Sequence, residues 1–309
     1  MQIKKEFYQI RNYHTSEWEG YVGLYSKAVA EGKERYLGLP PKQLQLLLEC
    51  HDYSLNQDLF ICEKNREIIG YLYTTPERGI DRIIFYCYVH PAHRRKNIGS
   101  SLFTYGFKQA RAMGLSKVHV NIDKDNRIGN IFLNQLGFNC VRKYLELYRS
   151  LLEYQEQETE LPPGFKMRCL QNGEEEMLAQ LQNNSFQGSW GFNPNTGKEI
   201  IYTLHSNEGS PKDIILLLYG EKPAGYCWTQ VNVKKGVGRI YMMGVEPEYR
   251  GKKIGKILLA KGLSYLAKEG MHTAILTVDD HNKTAKNLYQ TLGFKLLNTS
   301  LWYEKRVDS

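Results

Sequence analysis

The sequence predicts a mixed α/β fold, an α+β mixed sheet, built twice in tandem. Three observations predict it: one segment occurs twice, both halves carry the same order of apolar patterns, and a polar stretch separates them. VHPAHRRKNIGSSLF around Gly99 returns as VEPEYRGKKIGKILL around Gly255. Val89/Val245, Pro91/Pro247, Arg94/Arg250, Ile98/Ile254 and Leu102/Leu258 stay in step, as do Gly114/Gly270, Asp123/Asp279, Asn126/Asn282 and the Leu-Gly-Phe triplets at Gly137 and Gly293. Each pair is 156 positions apart (99 to 255, 137 to 293). Solenoid periods run roughly 20 to 50 residues, so this period is a whole domain. A chain of 309 residues leaves each half long enough to bury its own core.

In the N-terminal half, apolar spacing predicts helices near 16–30 and 41–50, then a hairpin around 63–66. A strand at 83–89, a helix at 98–113, a strand at 117–122 and a helix at 128–136 follow. The C-terminal half opens with an alternating strand at 165–170, then helices at 174–184, with a glutamate-rich first turn, and near 196–205. The runs 214–219 and 224–231 are strands split by a Gly220-Glu-Lys-Pro223 hairpin, and 238–245 is another strand. Ile254, Ile257, Leu258, Leu263 and Leu266 share one face of a helix at 254–268 that Gly270 ends. A strand at 272–278, a helix at 284–292 and two closing strands within 294–305 complete the order. Such an order gives a largely antiparallel sheet in which the late strand-helix-strand crossovers set their flanking strands parallel. The Glu- and Gln-rich stretch closing in Pro162-Pro163-Gly164 reads as a linker, giving domains at 1–150 and 165–309 with 151–164 between them.

The longest strongly apolar run, 214–219, is far too short to span a membrane, and the first residues lack the apolar stretch of a secretory signal. Six cysteines without CxxC spacing or a histidine pattern predict reduced thiols in a cytoplasmic protein and no metal site. The net charge of +8 comes without a long Lys/Arg tract or basic helix, which argues against nucleic acid. It is better matched to a polyanionic small ligand, because Arg94-Arg95-Lys96 and Arg250, Lys252 and Lys253 sit in the duplicated segment.

That segment is where chemistry is expected. Arg250-Gly251-Lys252-Lys253-Ile254-Gly255-Lys256 lies between a strand ending at Val245 and a helix starting near Ile254. Free amides and the helix dipole attract anions there, and flanking cations suit a pyrophosphate. Many helices begin after a basic turn, so the segment alone carries little specificity. A second segment, Asn282-Lys-Thr-Ala-Lys-Asn-Leu-Tyr289-Gln-Thr-Leu-Gly293-Phe294, follows the next strand at crossover distance.

Together the two segments resemble the acetyl-CoA motifs of the GNAT N-acetyltransferase superfamily, Gln/Arg-x-x-Gly-x-Gly/Ala and Asn-x-x-Ala-x-x-Leu-Tyr-x-x-x-Gly-Phe. The second motif matches in full, and the first has Lys253 at its inner glycine. The resemblance implies acetyl-CoA as donor, its pantetheine arm adding along the strand that ends in Met243-Gly244-Val245. A bulge near Met243-Gly244 would aim a backbone amide at the thioester carbonyl. It implies direct attack by an amine, with Tyr289 as general acid toward the departing thiolate. Packing beside Leu288 and Leu292 is the alternative for Tyr289, and its place in the motif favours the catalytic role.

The N-terminal copy departs from this pattern. Tyr88, Val89, Arg94, Arg95, Lys96, Asn97, Ile98 and Gly99 repeat the donor-binding segment, with Asn97 at the inner glycine. Leu133 stands where Tyr289 stands, and leucine has no proton to give. The resemblance therefore assigns catalysis to the C-terminal copy and leaves donor binding by the N-terminal one open.

Among tandem members the chain resembles mycothiol synthases, in which the N-terminal domain is also degenerate. Phe186, Trp190 and Trp228 are candidate walls of an acceptor pocket, with core packing as the alternative. That family carries an acidic residue at the position of Arg239, so arginine here predicts a different acceptor, one bearing a carboxylate or phosphate. Asp279, Asp280, His281 and Glu246 are the nearby candidates for taking the amine's proton; Asp280 and His281 also suit a helix cap. A small-molecule amine is the expected acceptor. A non-catalytic acyl-CoA-binding protein, a protein-lysine or N-terminal acetyltransferase and an aminoacyl transferase are the competing readings, the last disfavoured by the basic loops.

Overall fold

The computed structural model describes residues 8–32, 44, 55–155, 160–206 and 209–308. The expected helix at 41–50 lies outside them apart from Leu44. The chain divides into two compact units, Met1–Arg142 with Leu301–Ser309, and Lys143–Ser300.

The first unit contains β1 (Gln9–Asn12), α1 (Trp18–Ala30), β2 (Leu59–Lys64), β3 (Glu67–Glu77), β4 (Arg82–Val89), α2 (Ile98–Ala112), β5 (Lys117–Asp123) and α3 (Arg127–Gln135). The strand β6 (Asn139–Ser150) leaves it. The second unit holds β7 (Phe165–Cys169), α4 (Glu175–Phe186), α5 (Gly197–Ser206), β8 (Ile214–Tyr219), β9 (Lys222–Asn232), β10 (Val237–Val245), α6 (Ile254–Lys268), β11 (Thr273–Asp279) and α7 (Lys283–Thr291). The last strand is β12 (Lys295–Arg306).

Strands run β1-β2-β3-β4-β5 in the first unit and β7-β8-β9-β10-β11 in the second. β4/β5 and β10/β11 pair parallel, as the helical crossovers α2 and α6 require. Each sheet is packed on both faces. In the second unit Tyr226 and Trp228 of β9 face α4 and α5, while Cys227 between them faces α6. In the first, Tyr71 and Tyr73 of β3 face α1 while Leu72 faces α2. This alternation is the period-two signature of a strand buried on both sides.

The domain boundaries depart from cuts at 150 and 165. Residues 143–150 belong to the second unit, pairing antiparallel with β11 from Thr273↔Ser150 to Asp279↔Tyr144. The end of β12, from Leu301, belongs to the first, where β12 neighbours β5. The two closing strands expected within 294–305 are one continuous strand. Neither NCVRKYLELYRS nor KLLNTSLWYEKR holds a glycine or proline to break it, so each runs for 12 residues.

Candidate active site

Strands β10 and β11 pair only as far as Ile240↔Leu276, yet β10 continues to Val245 and β11 to Asp279. Their C-terminal ends therefore separate, leaving a cleft between two parallel strands, the usual place for a ligand in such sheets. The N-terminal copy opens the same way, β4 and β5 pairing through Ile84↔His119.

The copies differ along the cleft wall. On β10 the register to β9 shifts between Ile240 and Met242, leaving Tyr241 as an extra residue. This bulge lies upstream of Met243-Gly244, where it was expected. Strand β4 pairs with β3 without any shift, from Glu77↔Arg82 to Gly70↔Val89. A bulge takes backbone groups out of the ladder, which happens on β10 and not on β4.

The donor loop follows β10 through a 3-10 turn, Pro247–Tyr249, into α6. Gly251 (φ +80°) and Lys253 (φ +60°) take left-handed conformations that turn the chain sharply before the helix. No side chain caps α6, nor α2, whose preceding Asn97 has φ +62°. By contrast α7 and α3 are capped by Asn282 and Asn126, which accept from Ala285 N at 3.0 Å and Gly129 N at 3.1 Å. Asn282 is thus the helix cap, the role that Asp280 and His281 had been candidates for. Asp280 is instead bound by Lys286 Nζ at 2.5 Å, which holds its carboxyl below the usual range.

The arginines of both loops are partly committed. Arg250 donates from Nε to the Val245 carbonyl at 3.1 Å and from Nη2 to the Ser185 carbonyl at 2.7 Å. Lys252 lies over the Tyr249 ring, 5.3 Å from its centroid. An uncapped helix start, a left-handed turn and flanking lysines fit the pyrophosphate of an acyl-CoA.

Tyr289 is nearly buried, 8% exposed, in the cluster beneath α6 and α7, its ring 5.9 Å from that of Phe294. Burial, with a smaller contribution from Cys227, pushes its phenol up to about 12. The proton stays on at neutral pH, as an acid requires. Leu133 is equally buried in the first unit.

Two residues not singled out from sequence line the same region. A Cβ at Gly244 would meet Ser185 Cβ at 2.7 Å and Tyr226 Cε1 at 2.7 Å, so the missing side chain lets α4 close on β10. Ser185 Oγ and Tyr226 OH are both buried and make no hydrogen bond among the described residues. Ser185 stands next to Phe186, a candidate pocket wall in the sequence, whereas Tyr226 looks like any core tyrosine. In the first unit the position of Gly244 is taken by Tyr88, buried against Tyr71 and donating to Glu31 at 2.9 Å. Arg94 donates to that same carboxylate at 3.2 Å and to the Val89 carbonyl.

The acceptor-side candidates separate. Trp228 is 2% exposed in the α4/α5 core and is a packing residue. Phe186 stacks on Phe192 at 5.2 Å, and the Trp190 carbonyl accepts from Tyr144 OH at 3.3 Å. Arg239 donates to Glu146 at 2.9 Å and to Thr277 Oγ1 at 3.2 Å. Glu246 accepts from Asn184 at 2.9 Å.

The acetyltransferase (GNAT) family model matches residues 14–138 and again 175–294. A mycothiol acetyltransferase of Kocuria rhizophila is 27% identical over 89% of this chain and 93% of its own length. One of Streptomyces scabiei is 28% identical over 78% of this chain and 77% of its own. In fold, a GCN5-related N-acetyltransferase from Sphaerobacter thermophilus superposes with a TM-score of 0.74 at 20% identity, covering 97% of this chain and 96% of that one. A tandem GNAT protein from the clavulanic acid biosynthesis pathway gives 0.75 at 12% identity, covering 97% and 99%. With the family pattern, the cleft and the uncapped helix occurring once in each half, the chain belongs to the acetyltransferase (GNAT) family as two domains in tandem.

Proposed function

We propose that the protein moves an acetyl group from acetyl-CoA to a primary amine of a small molecule, and that the C-terminal copy performs the transfer. The observation that carries this reading is the presence in one unit of a bulged β10 and a buried, protonated Tyr289 at the motif position. The N-terminal copy has neither.

Amides at the start of α6, with Lys252, Lys253 and Lys256, would hold the pyrophosphate. Backbone freed from the ladder at Tyr241 through Gly244 would hydrogen-bond the thioester carbonyl as negative charge gathers there. A neutral amine attacks the carbonyl carbon, the new C–N bond forms, and the C–S bond breaks. Tyr289 gives its proton to the departing thiolate, and the proton lost by the amine leaves through solvent or a neighbouring carboxylate.

The test is titration of acetyl-CoA by calorimetry, followed by a mass-spectrometric search for acetylated amines. Binding that a Gly255→Glu variant abolishes, with turnover that Tyr289→Phe lowers by about a hundredfold or more, is the expected result. Absence of acetyl-CoA binding in the wild type would sink the reading.

A further inference from the structure

The face of the second sheet that lies opposite the donor loop holds an ion pair at the base of the cleft. On β10, Gly238 and Ile240 turn toward α6: a Cβ at Gly238 would meet Leu266 at 2.6 Å, and Ile240 belongs to that helix's core. Arg239 between them projects from the opposite face. Thr277, between Leu276 and Val278, and Glu146, between Leu145 and Leu147, do the same. Arg239, Thr277 and Glu146 therefore share one face of β10, β11 and β6, Thr277 directly opposite Glu146 and one residue beyond the last β10/β11 rung, Ile240↔Leu276.

The row is open to solvent. The Arg239 and Glu146 side chains are 34% and 23% exposed, and Tyr241, the bulged residue beside them, is 44% exposed. The guanidinium spends two contacts, on Glu146 and Thr277, and carries further N–H donors that these do not use. Its plane is thus fixed while donors remain on offer.

We propose that the acceptor is an amine carrying an anionic group close to its nitrogen, a carboxylate as in an amino acid, and that Arg239 binds this group while Glu146 and Thr277 hold it in place. This rests on the C-terminal copy being the transferase. Three features support it. The row faces away from the donor loop, so an acceptor reaching the bulge from this side meets the donor head-on. A planar guanidinium matches a carboxylate better than a point charge does. Glu146 offsets one positive charge locally, so the single charge of a carboxylate is accommodated where a phosphate dianion would meet more repulsion from the Glu146 carboxylate.

The experiment compares matched acceptors at saturating acetyl-CoA: tyrosine against tyramine and tyrosinamide, tryptophan against tryptamine, histidine against histamine, and phosphoethanolamine against ethanolamine. Acetylated product is quantified by mass spectrometry. The expected result is kcat/KM about ten- to a hundredfold higher for each amino acid than for its decarboxylated or amidated counterpart, with no gain for phosphoethanolamine over ethanolamine. Arg239→Gln should bring that ratio toward one, with Arg239→Lys between the two. Equal or inverted ratios in the wild type, or a ratio that survives Arg239→Gln, would overturn the proposal. So would preference for phosphoethanolamine, or failure to acetylate any member while acetyl-CoA still binds. The wild-type ratios decide the matter even if a variant folds poorly. Loss of acetyl-CoA binding by the wild type would remove the transferase reading itself.

Discussion

Arg250 Nη2 donates to the backbone carbonyl of Ser185 at 2.7 Å, tying the donor loop to the end of α4. Its Nε holds the Val245 carbonyl at the end of β10. A residue that reads as a phosphate ligand in the motif is thus also a strut between three elements. Arg250→Ala strips two carbonyls of a charged donor, and each such bond contributes about 1.5–3 kcal/mol. Calorimetry should register an acetyl-CoA Kd at least about tenfold weaker. An unchanged Kd would mean the loop holds its shape without the strut.

Gly244→Ala tests the close approach of α4. The new methyl group would sit 2.7 Å from both Ser185 Cβ and Tyr226 Cε1, a distance that forces helix and strand apart. Overpacking of this kind costs about 1–3 kcal/mol. Denaturant melts should show that loss, and kcat should fall further than donor affinity, because the bulged strand moves with its neighbour.

Tyr289→Phe should lower kcat by about a hundredfold or more while leaving acetyl-CoA affinity intact. The pH profile follows from the direction of the shift. The phenol acts while protonated, and burial has raised its pKa to about 12, so it keeps its proton throughout the ordinary range. Wild-type kcat/KM should climb with pH as the acceptor amine loses its proton, without a falling limb near pH 10. A falling limb there that Tyr289→Phe removes would show the phenol titrating at its ordinary value.

Donor binding should be unequal between the copies. Tyr88 fills the place of Gly244, and Glu31 sets a carboxylate on Arg94 of the N-terminal loop. Calorimetry should find one tight acetyl-CoA site per chain, lost in Gly255→Glu and kept in Gly99→Glu. Leu133→Tyr should not create a second active site, because β4 stays unbulged. Two equivalent sites would refute this.

His119 predicts a pH-dependent stability for the first unit. The ring is 4% exposed, with Nε2 2.7 Å from Glu304 and Nδ1 3.4 Å from Arg82. Burial lowers its pKa below 6.5, Arg82 acting the same way and Glu304 opposing. Below pH 6.5 the unfolded chain binds this proton and the folded one resists it, so stability falls as pH falls. Urea midpoints should drop between pH 7 and 5, and His119→Gln should flatten the slope. Deleting Leu301–Ser309 should destabilise more, since Tyr303 OH binds Asn130 at 2.9 Å and Val307 N binds the Ser116 carbonyl at 3.0 Å.

The duplication, most of the element order and the basic turn before α6 were legible because each rests on local pattern. The bulge was misplaced for a reason the repeat itself conceals. Gly70 and Gly225 are 155 positions apart, whereas Val89 and Val245 are 156 apart. The copies keep step downstream of Tyr241 only because that residue was inserted, and aligning from the glycine loop hides it. Trp228 and Phe186 carry the same aromatic character in a core as in a pocket wall, so sequence left them undecided. Glu146 gave no signal at all. Its role depends on which sheet 143–150 joins, and strand residues of this composition fit either.

The crossing of β6 and β12 into opposite units also bears on how such a chain is inherited. A gene cut at the polar stretch would yield two fragments, each carrying the strand that the other needs to close its sheet. The N-terminal half, with Leu133 at the position of Tyr289, is therefore not a passenger awaiting deletion. It carries Glu146, the partner of Arg239, and its loss would unmake the second unit along with itself.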